Sequence, residues 1–303
     1  MNTIPARQNM ESALKQLHAR QWTYVIANRL MVAQIVLTVL VPITGAVLTL
    51  CFPAVRPHFA ALALVVLVLD TVLLDRQYKA VLKRGAKLGE KFDSLVLGLP
   101  WNAFIAGDES ESEDVYAAAS AWRKRHTDEK LLDWYPIASG ELPLALGRIV
   151  CQRTNLRYDS QLRRSYGTII LVTVGLVALS LIVVGLVQDL NMTAWVLTLA
   201  PATPLLSWAG REFYRQRDTA EQLEDLTKKA RGFWKRALEG ACDEDRCLKE
   251  SRELQDAIYL RRSTSPLIIP FLYRIKRLGL EDQMNEAANN FLEEYRAKAG
   301  EVA

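Results

Sequence analysis

Arginines crowd the run from Cys151 to Tyr166, CQRTNLRYDSQLRRSY, where Arg153, Arg157, Arg163 and Arg164 stand among Asn155, Tyr158, Asp159 and Tyr166. A guanidinium offers a planar fork that grips phosphate with two hydrogen bonds at once. Upstream lie aromatic side chains: Trp101 in KFDSLVLGLPWN (Lys91 to Asn102), and Trp134 and Tyr135 in DWYP (Asp133 to Pro136). Aromatic faces stack nucleobases. The chemistry open to this set is therefore binding of an anionic, base-bearing ligand. An equally physical reading is structural: buried aromatics, with Arg153 ion-paired to Asp93 or Asp159. On a helix Arg153 and Arg157 share a face, whereas Arg163 and Arg164 point apart. The four cannot all meet one ligand from a single helix. The expectation is Arg153 and Asn155 in a soluble core, with Arg163 or Arg164 at a lipid surface or pairing a neighbour.

Catalytic sets are absent from the sequence. The three histidines are His18, His58 and His126, and none stands in a serine or cysteine nucleophile setting. There is no GxxxxGK[ST] loop and no GxGxxG after a strand. The four cysteines, Cys51, Cys151, Cys242 and Cys247, lack the close pairs of a zinc site and read as reduced, structural thiols. No enzyme activity, metal or cofactor is expected. The net charge of +4 is too small to imply DNA or RNA binding.

The elements that must position these residues follow from hydropathy. Apolar residues collect into four blocks between stretches as charged as any soluble protein. Leu30 to Phe52 holds no charge and matches the roughly 20 helical residues a bilayer core requires, with Pro42 and Gly45 tolerated inside it. Phe59 to Leu74 is a second span and contains Asp70. Thr168 to Val187 and Met192 to Gly210 are a third and a fourth, the latter interrupted by Pro201 and Pro204. No signal-peptide pattern is seen, because the first block is too long for a signal core. Lysine and arginine flank the inner ends of the blocks, and the short turns hold only Arg56, so the positive-inside rule places both termini in the cytoplasm.

The resulting organisation is mainly α: a membrane protein with four transmembrane helices in two hairpins and a composite cytoplasmic domain. Residues 1–29 form an amphipathic leader, either on the membrane surface or packed on the soluble part. Residues 30–75 are the first hairpin, 76–167 a central cytoplasmic segment, 168–210 the second hairpin, and 211–303 a helical C-terminal segment. Tyr116 to Arg125, Pro143 to Leu156, Glu244 to Arg262 and Glu281 to Lys298 read as helices, Asp108 to Asp114 as an acidic loop, and Leu95 to Leu99 as a possible short strand. The arginine run leads directly into the third span, so Arg163, Arg164 and Arg211 stand where a soluble sensor could act on the membrane. Asp70 is an intramembrane carboxylate, which either lines or packs a polar pathway or sits near the interface.

At these residues the sequence resembles the SMODS-associating four-transmembrane effectors of bacterial cyclic-oligonucleotide antiphage signalling (CBASS). The resemblance rests on FD…LPWN at Phe92 to Asn102, WYP at Trp134 to Pro136, the Cys151 to Tyr166 run before the third span, and QDAIYLRR…P…IP…Y…R from Gln255 to Arg274. The chain departs from the family pattern at Phe271 and Tyr158, where an acidic residue and a tryptophan are usual. The resemblance implies an effector in the bacterial inner membrane that binds a cyclic di- or trinucleotide on its cytoplasmic side. It would then oligomerise or rearrange, permeabilise the membrane and arrest the infected cell. Trp101, Trp134, Tyr135, Arg153, Asn155, Arg157 and Tyr158 are the expected ligand contacts. The alternative is a small transporter, channel or structural membrane protein, for which two thirds of the chain outside the membrane is unusual.

Overall fold

The computed structural model describes residues 2–52, 56–187, 191–193 and 203–302. These residues are overwhelmingly helical, and no strand occurs among them. The helices are α1 (Ile4–Gln8), α2 (Glu11–Ile35), α3 (Val41–Cys51), α4 (Arg56–Leu69), α5 (Asp75–Leu97), α6 (Ala103–Ala106), α7 (Ser112–Arg123), α8 (Leu144–Val187), α9 (Thr203–Leu238), α10 (Glu244–Thr264) and α11 (Pro270–Val302). The chain forms two compact units. The first combines Met1–Ile26, Val81–Leu162 and Thr219–Ala303, and the second combines Ala27–Ala80 and Arg163–Asp218.

Several apolar clusters hold the first unit together, and two of them are the largest described. In one, Ile4, Ala13 and Leu17 from the N-terminal stretch pack with Phe92, Val96 and Leu97 of α5, and with Tyr135 and Cys151. Of the two settings open to the leader, the structure gives the packed one for residues 1–26. The other cluster joins Leu146, Ile149 and Val150 of α8 to Phe233 and Trp234 of α9 and to Ala288, Phe291 and Leu292 of α11. Trp234 is fully buried and meets Phe291 edge-on, with ring centroids 4.6 Å apart. Both clusters draw on chain segments more than a hundred residues apart, so hydrophobic burial, not local propensity, fixes the unit.

The possible strand at Leu95 to Leu99 is instead the end of α5. Gly98 adopts φ +62°, a left-handed conformation that costs glycine nothing, and Leu99 N–H donates to Ser94 O at 2.9 Å. That reversal stops the helix at the LGLP motif. Arg148 completes the cap, its Nε donating to Leu97 O at 2.7 Å and its Nη2 to Gly98 O at 3.1 Å. The acidic loop is shorter than expected, since α7 begins at Ser112, and α11 begins at Pro270 rather than Glu281. Pro266 and Pro270 bound the extended link between α10 and α11, and α10 starts on an Asp243 cap that accepts from Arg246 N–H at 2.8 Å.

The second unit has the surface of a membrane protein. Leu64, Val68, Leu171, Leu176, Leu179 and Val187 are all more than half exposed. Apolar exposure of this kind is unstable in water and ordinary in lipid. Two described helical stretches, Glu11–Gly45 and Leu144–Ser180, are long and apolar enough to cross a membrane. The expected second span is helical, while residues 194–202 of the fourth, Met192 to Gly210, lie outside the described residues. Within this unit α3 and α4 approach closely at Gly45, where a Cβ would fall 2.6 Å from Phe59 Cδ1, the kind of small-residue contact that lets membrane helices pack.

Candidate functional site

The sequence motifs meet in a buried polar network inside the first unit. Asp93, 1% exposed, accepts from Arg262 Nη1 and Gln255 Nε2, each at 2.9 Å, and from the Tyr135 hydroxyl at 2.7 Å. Asn155 Nδ2 donates to that hydroxyl at 2.9 Å. Gln255 also reaches Glu90 Oε2 at 2.9 Å, and Gln152 donates to Gln255 Oε1 at 3.1 Å. Arg252 pairs with Glu90 and, at 2.9 Å, with Asp256, and reaches Pro100 O at 3.0 Å. Helix α5, the Trp134–Pro136 turn, α8 and α10 therefore share one set of charge-assisted hydrogen bonds. The aspartate of the FD motif takes Arg262, 169 residues away, and not Arg153.

Glu90 shares the Gln255 amide with Asp93. Burial raises the Glu90 pKa above 4.5; the Arg252 charge opposes this, Asp93 adds to it, and hydrogen bonds from Arg252 and Gln255 oppose it. The folded state then takes up this proton before the unfolded state does. Its stability from this group rises as pH falls from the folded pKa towards 4.5, and is lost as pH climbs back. Glu90→Gln lacks that dependence. Thermal melting between pH 7 and 4.5 should show the stability difference shifting towards the wild type as pH falls; a constant difference would overturn the assignment. Burial also pushes the Cys151 thiol up to about 12, which leaves it an unreactive core side chain.

The expected ligand residues fall into three places. Tyr135 and Asn155 are bonded to each other inside the network, and Trp134 lies beside it, edge-on to Phe92 with Arg20 4.9 Å from its ring centre. Trp101 is elsewhere, its Nε1–H donating to Gly107 O at 2.9 Å and its ring 5.7 Å from Lys91 Nζ. Arg153 is in a third place, with Arg157 on the same face of α8. Its guanidinium carbon lies 4.8 Å from the Phe291 ring centre, as does that of Arg231 on α9. Burial lowers the Arg153 pKa, and the charges of Arg231 and Arg157 lower it further. Arg153 Nε is buried without a hydrogen-bond partner, and among the described residues no carboxylate pairs with Arg153. Neither structural pairing considered for it, with Asp93 or with Asp159, is formed. Tyr158 is half-buried on the same helix.

The remaining expected residues belong to the second unit. Arg163 is buried and donates to Gln216 Oε1 at 2.7 Å, and Gln216 in turn donates to Glu212 at 2.7 Å. Arg164 is exposed, and Arg211, also exposed, donates to Ser207 Oγ at 3.2 Å. Asp70 opens a π-helical turn, Asp70–Leu74, and accepts from Gln34 Nε2 at 3.0 Å. A second π-helical turn, Val36–Leu40, begins two residues after Gln34. Gln34 was missed in the sequence because a lone glutamine in an apolar block carries no signal beyond its polarity. Arg231, Arg252 and Gln255 were missed as site residues because their partners lie on other helices. Among the described residues no cluster of three metal-ligating side chains gathers.

A helical protein with an apolar-surfaced unit and a second unit knit by buried charges has the make-up of a membrane-associated protein. The chain belongs to the family of the SMODS-associating 4TM effector domain, whose model matches residues 2–291. It is similar to a probable CBASS effector molecule of Bacillus cereus (strain VD146), at 25% identity over 292 residues that cover 92% of this chain and 94% of that protein. No solved structure matches it significantly. The family supports an effector role in CBASS antiviral defence, carried by a 4TM membrane domain.

Proposed function

We propose that this protein is a four-span inner-membrane effector that binds a cyclic oligonucleotide through its first unit and, on binding, oligomerises or rearranges to permeabilise the membrane and arrest the infected cell. Both termini and the first unit lie in the cytoplasm. The observation that carries the reading is α8. Over 44 unbroken residues it bears Arg153, whose charge no carboxylate offsets among the described residues, and then the apolar stretch to Val187. At 1.5 Å per residue that is a rod of about 66 Å. A ligand that orders Arg153 and Arg157 at one end acts on the element that enters the bilayer at the other. It does so only through differential affinity for two states of the protein. Arg163, Arg164 and Arg211 lie on the helices that would transmit the change, and Asp70 stands in the membrane segment that would respond. Tyr158 stands on the same helix as Arg153, Trp101 and Trp134 stand in two other places of the first unit, and Tyr135 and Asn155 hold α8 in register.

The test is binding of a panel of cyclic di- and trinucleotides to the purified chain, paired with dye leakage from liposomes that contain it. One panel member should bind and trigger leak. Arg153→Lys removes the fork and keeps the charge; it should cost about 1.5–3 kcal/mol of binding, the range for charged hydrogen bonds, with melting unchanged. A misfolded Arg153→Lys protein with no specific binding loss makes Arg153 structural.

A further inference from the structure

Arg231 is the member of the arginine cluster that already has a partner. Its Nη1 donates to Glu294 Oε2 at 2.8 Å and its Nη2 to Glu294 Oε1 at 3.2 Å, a two-handed grip by a carboxylate on α11. Both residues are about one third exposed, so solvent and solutes reach the pair. Arg153 and Arg231 lie against the same Phe291 ring, which places their guanidinium carbons within about 10 Å of each other. Arg157 is close enough to lower the Arg153 pKa. Three guanidinium groups thus share one carboxylate, and the buried Arg153 Nε has no acceptor. Arg157 is exposed, but the half-buried Arg153 is costly until an anion supplies an acceptor.

Resting on the ligand reading above, we propose that Arg153, Arg157 and Arg231 form a phosphodiester site in which Glu294 is a resident counter-anion. The incoming phosphate takes Arg231 from Glu294 and fills the acceptor that Arg153 lacks. Exchange of acceptors releases Glu294, and with it the tie between α9 and the C-terminal part of α11. The state before binding is therefore held by an internal mimic of the ligand, and the ligand's advantage is the second and third guanidinium that one carboxylate cannot reach. The chemistry that fits is a dianion of two nearby phosphodiesters, as in a cyclic dinucleotide, or a single pyrophosphate.

The full chain in detergent at constant ionic strength provides the test, with pyrophosphate as the first probe and calorimetry as the readout. Pyrophosphate should bind saturably. Arg153→Gln should weaken it at least about tenfold, and Glu294→Gln, which keeps the shape and removes the competing charge, should tighten it about tenfold. Identical isotherms for the wild type, Arg153→Gln and Glu294→Gln would overturn the site, as would a Glu294→Gln protein that binds more weakly. The nucleotide panel then separates the two readings. A cyclic nucleotide that binds the wild type and both variants alike, and still triggers leak, overturns this placement and the role of Arg153, and leaves standing a nucleotide-triggered effector whose site lies elsewhere. A pyrophosphate that no panel nucleotide displaces upholds the anion site and overturns the nucleotide as its occupant. Displacement by phosphatidylglycerol added to the micelles, and not by nucleotide, upholds the site for a lipid headgroup and likewise overturns the nucleotide.

Discussion

Asp93→Ala should destabilise the first unit by about 3–5 kcal/mol, the cost of removing one partner from a buried ion pair. Asp93 accepts from Arg262, Gln255 and Tyr135 at once, and each of these donors is buried or nearly so. The alanine leaves the Arg262 guanidinium without the carboxylate that most favours its charge. It also strands one hydrogen of the Tyr135 hydroxyl, whose own pKa is pushed up by burial first and by Asp93 second. Domains of this kind are stable by only about 5–15 kcal/mol in all, so the loss consumes much of the margin. Near-ultraviolet circular dichroism during thermal melting of the purified chain measures it. Asp93→Asn keeps one acceptor and should recover part of the loss. A drop below about 1 kcal/mol for the alanine would show that the network is dispensable.

Asp70→Leu should abolish ligand-triggered leak while making insertion easier. A carboxylate at a helix centre costs about 2.5–3.5 kcal/mol on insertion scales, and leucine removes that cost. It also removes the acceptor for Gln34 Nε2, a polar link between α2 and the π-helical turn that Asp70 opens. Both partners lie at or beside π-helical turns, which interrupt regular hydrogen bonding and often mark functional positions. Asp70→Asn retains an acceptor for Gln34 and drops the charge, so it should alter leak without eliminating it. Liposome leakage with ligand, compared across the three proteins at matched incorporation, gives the answer. Leak equal to wild type in both variants would reduce Asp70 to a residue at the interface.

Much of this architecture is legible in the sequence, for identifiable reasons. Helical periodicity and caps are local, so α9 continuing out of its apolar segment and α10 beginning at Glu244 follow from spacing alone. Charge-free runs likewise announce a lipid environment without any knowledge of neighbours. Pairing across the fold is different. Asp93 offered no local clue that it would take Arg262 rather than Arg153, because a carboxylate's partner is set by which helices the apolar clusters bring together. The same holds for Arg231, which reaches Phe291 and the Arg153 cluster only once Trp234 has docked α9 against α11. The Leu95 to Leu99 stretch resembles a short strand because its residues are apolar. A single glycine with positive φ turns it into a helix cap.

The order in which the first unit is assembled has a consequence for synthesis. Its three stretches, Met1–Ile26, Val81–Leu162 and Thr219–Ala303, are separated by the apolar segments. A ribosome therefore releases all of the apolar segments before it has made the residues that complete the core, Phe233, Trp234, Ala288 and Phe291 among them. The N-terminal Ile4 and Leu17 wait for α5, and Arg153 of α8 waits for α9 and α11, so the cluster around Phe291 is complete only after both are made. A chain that stops between Asp218 and Phe233 has its apolar segments complete and its first unit without Trp234, Ala288, Phe291 and Leu292.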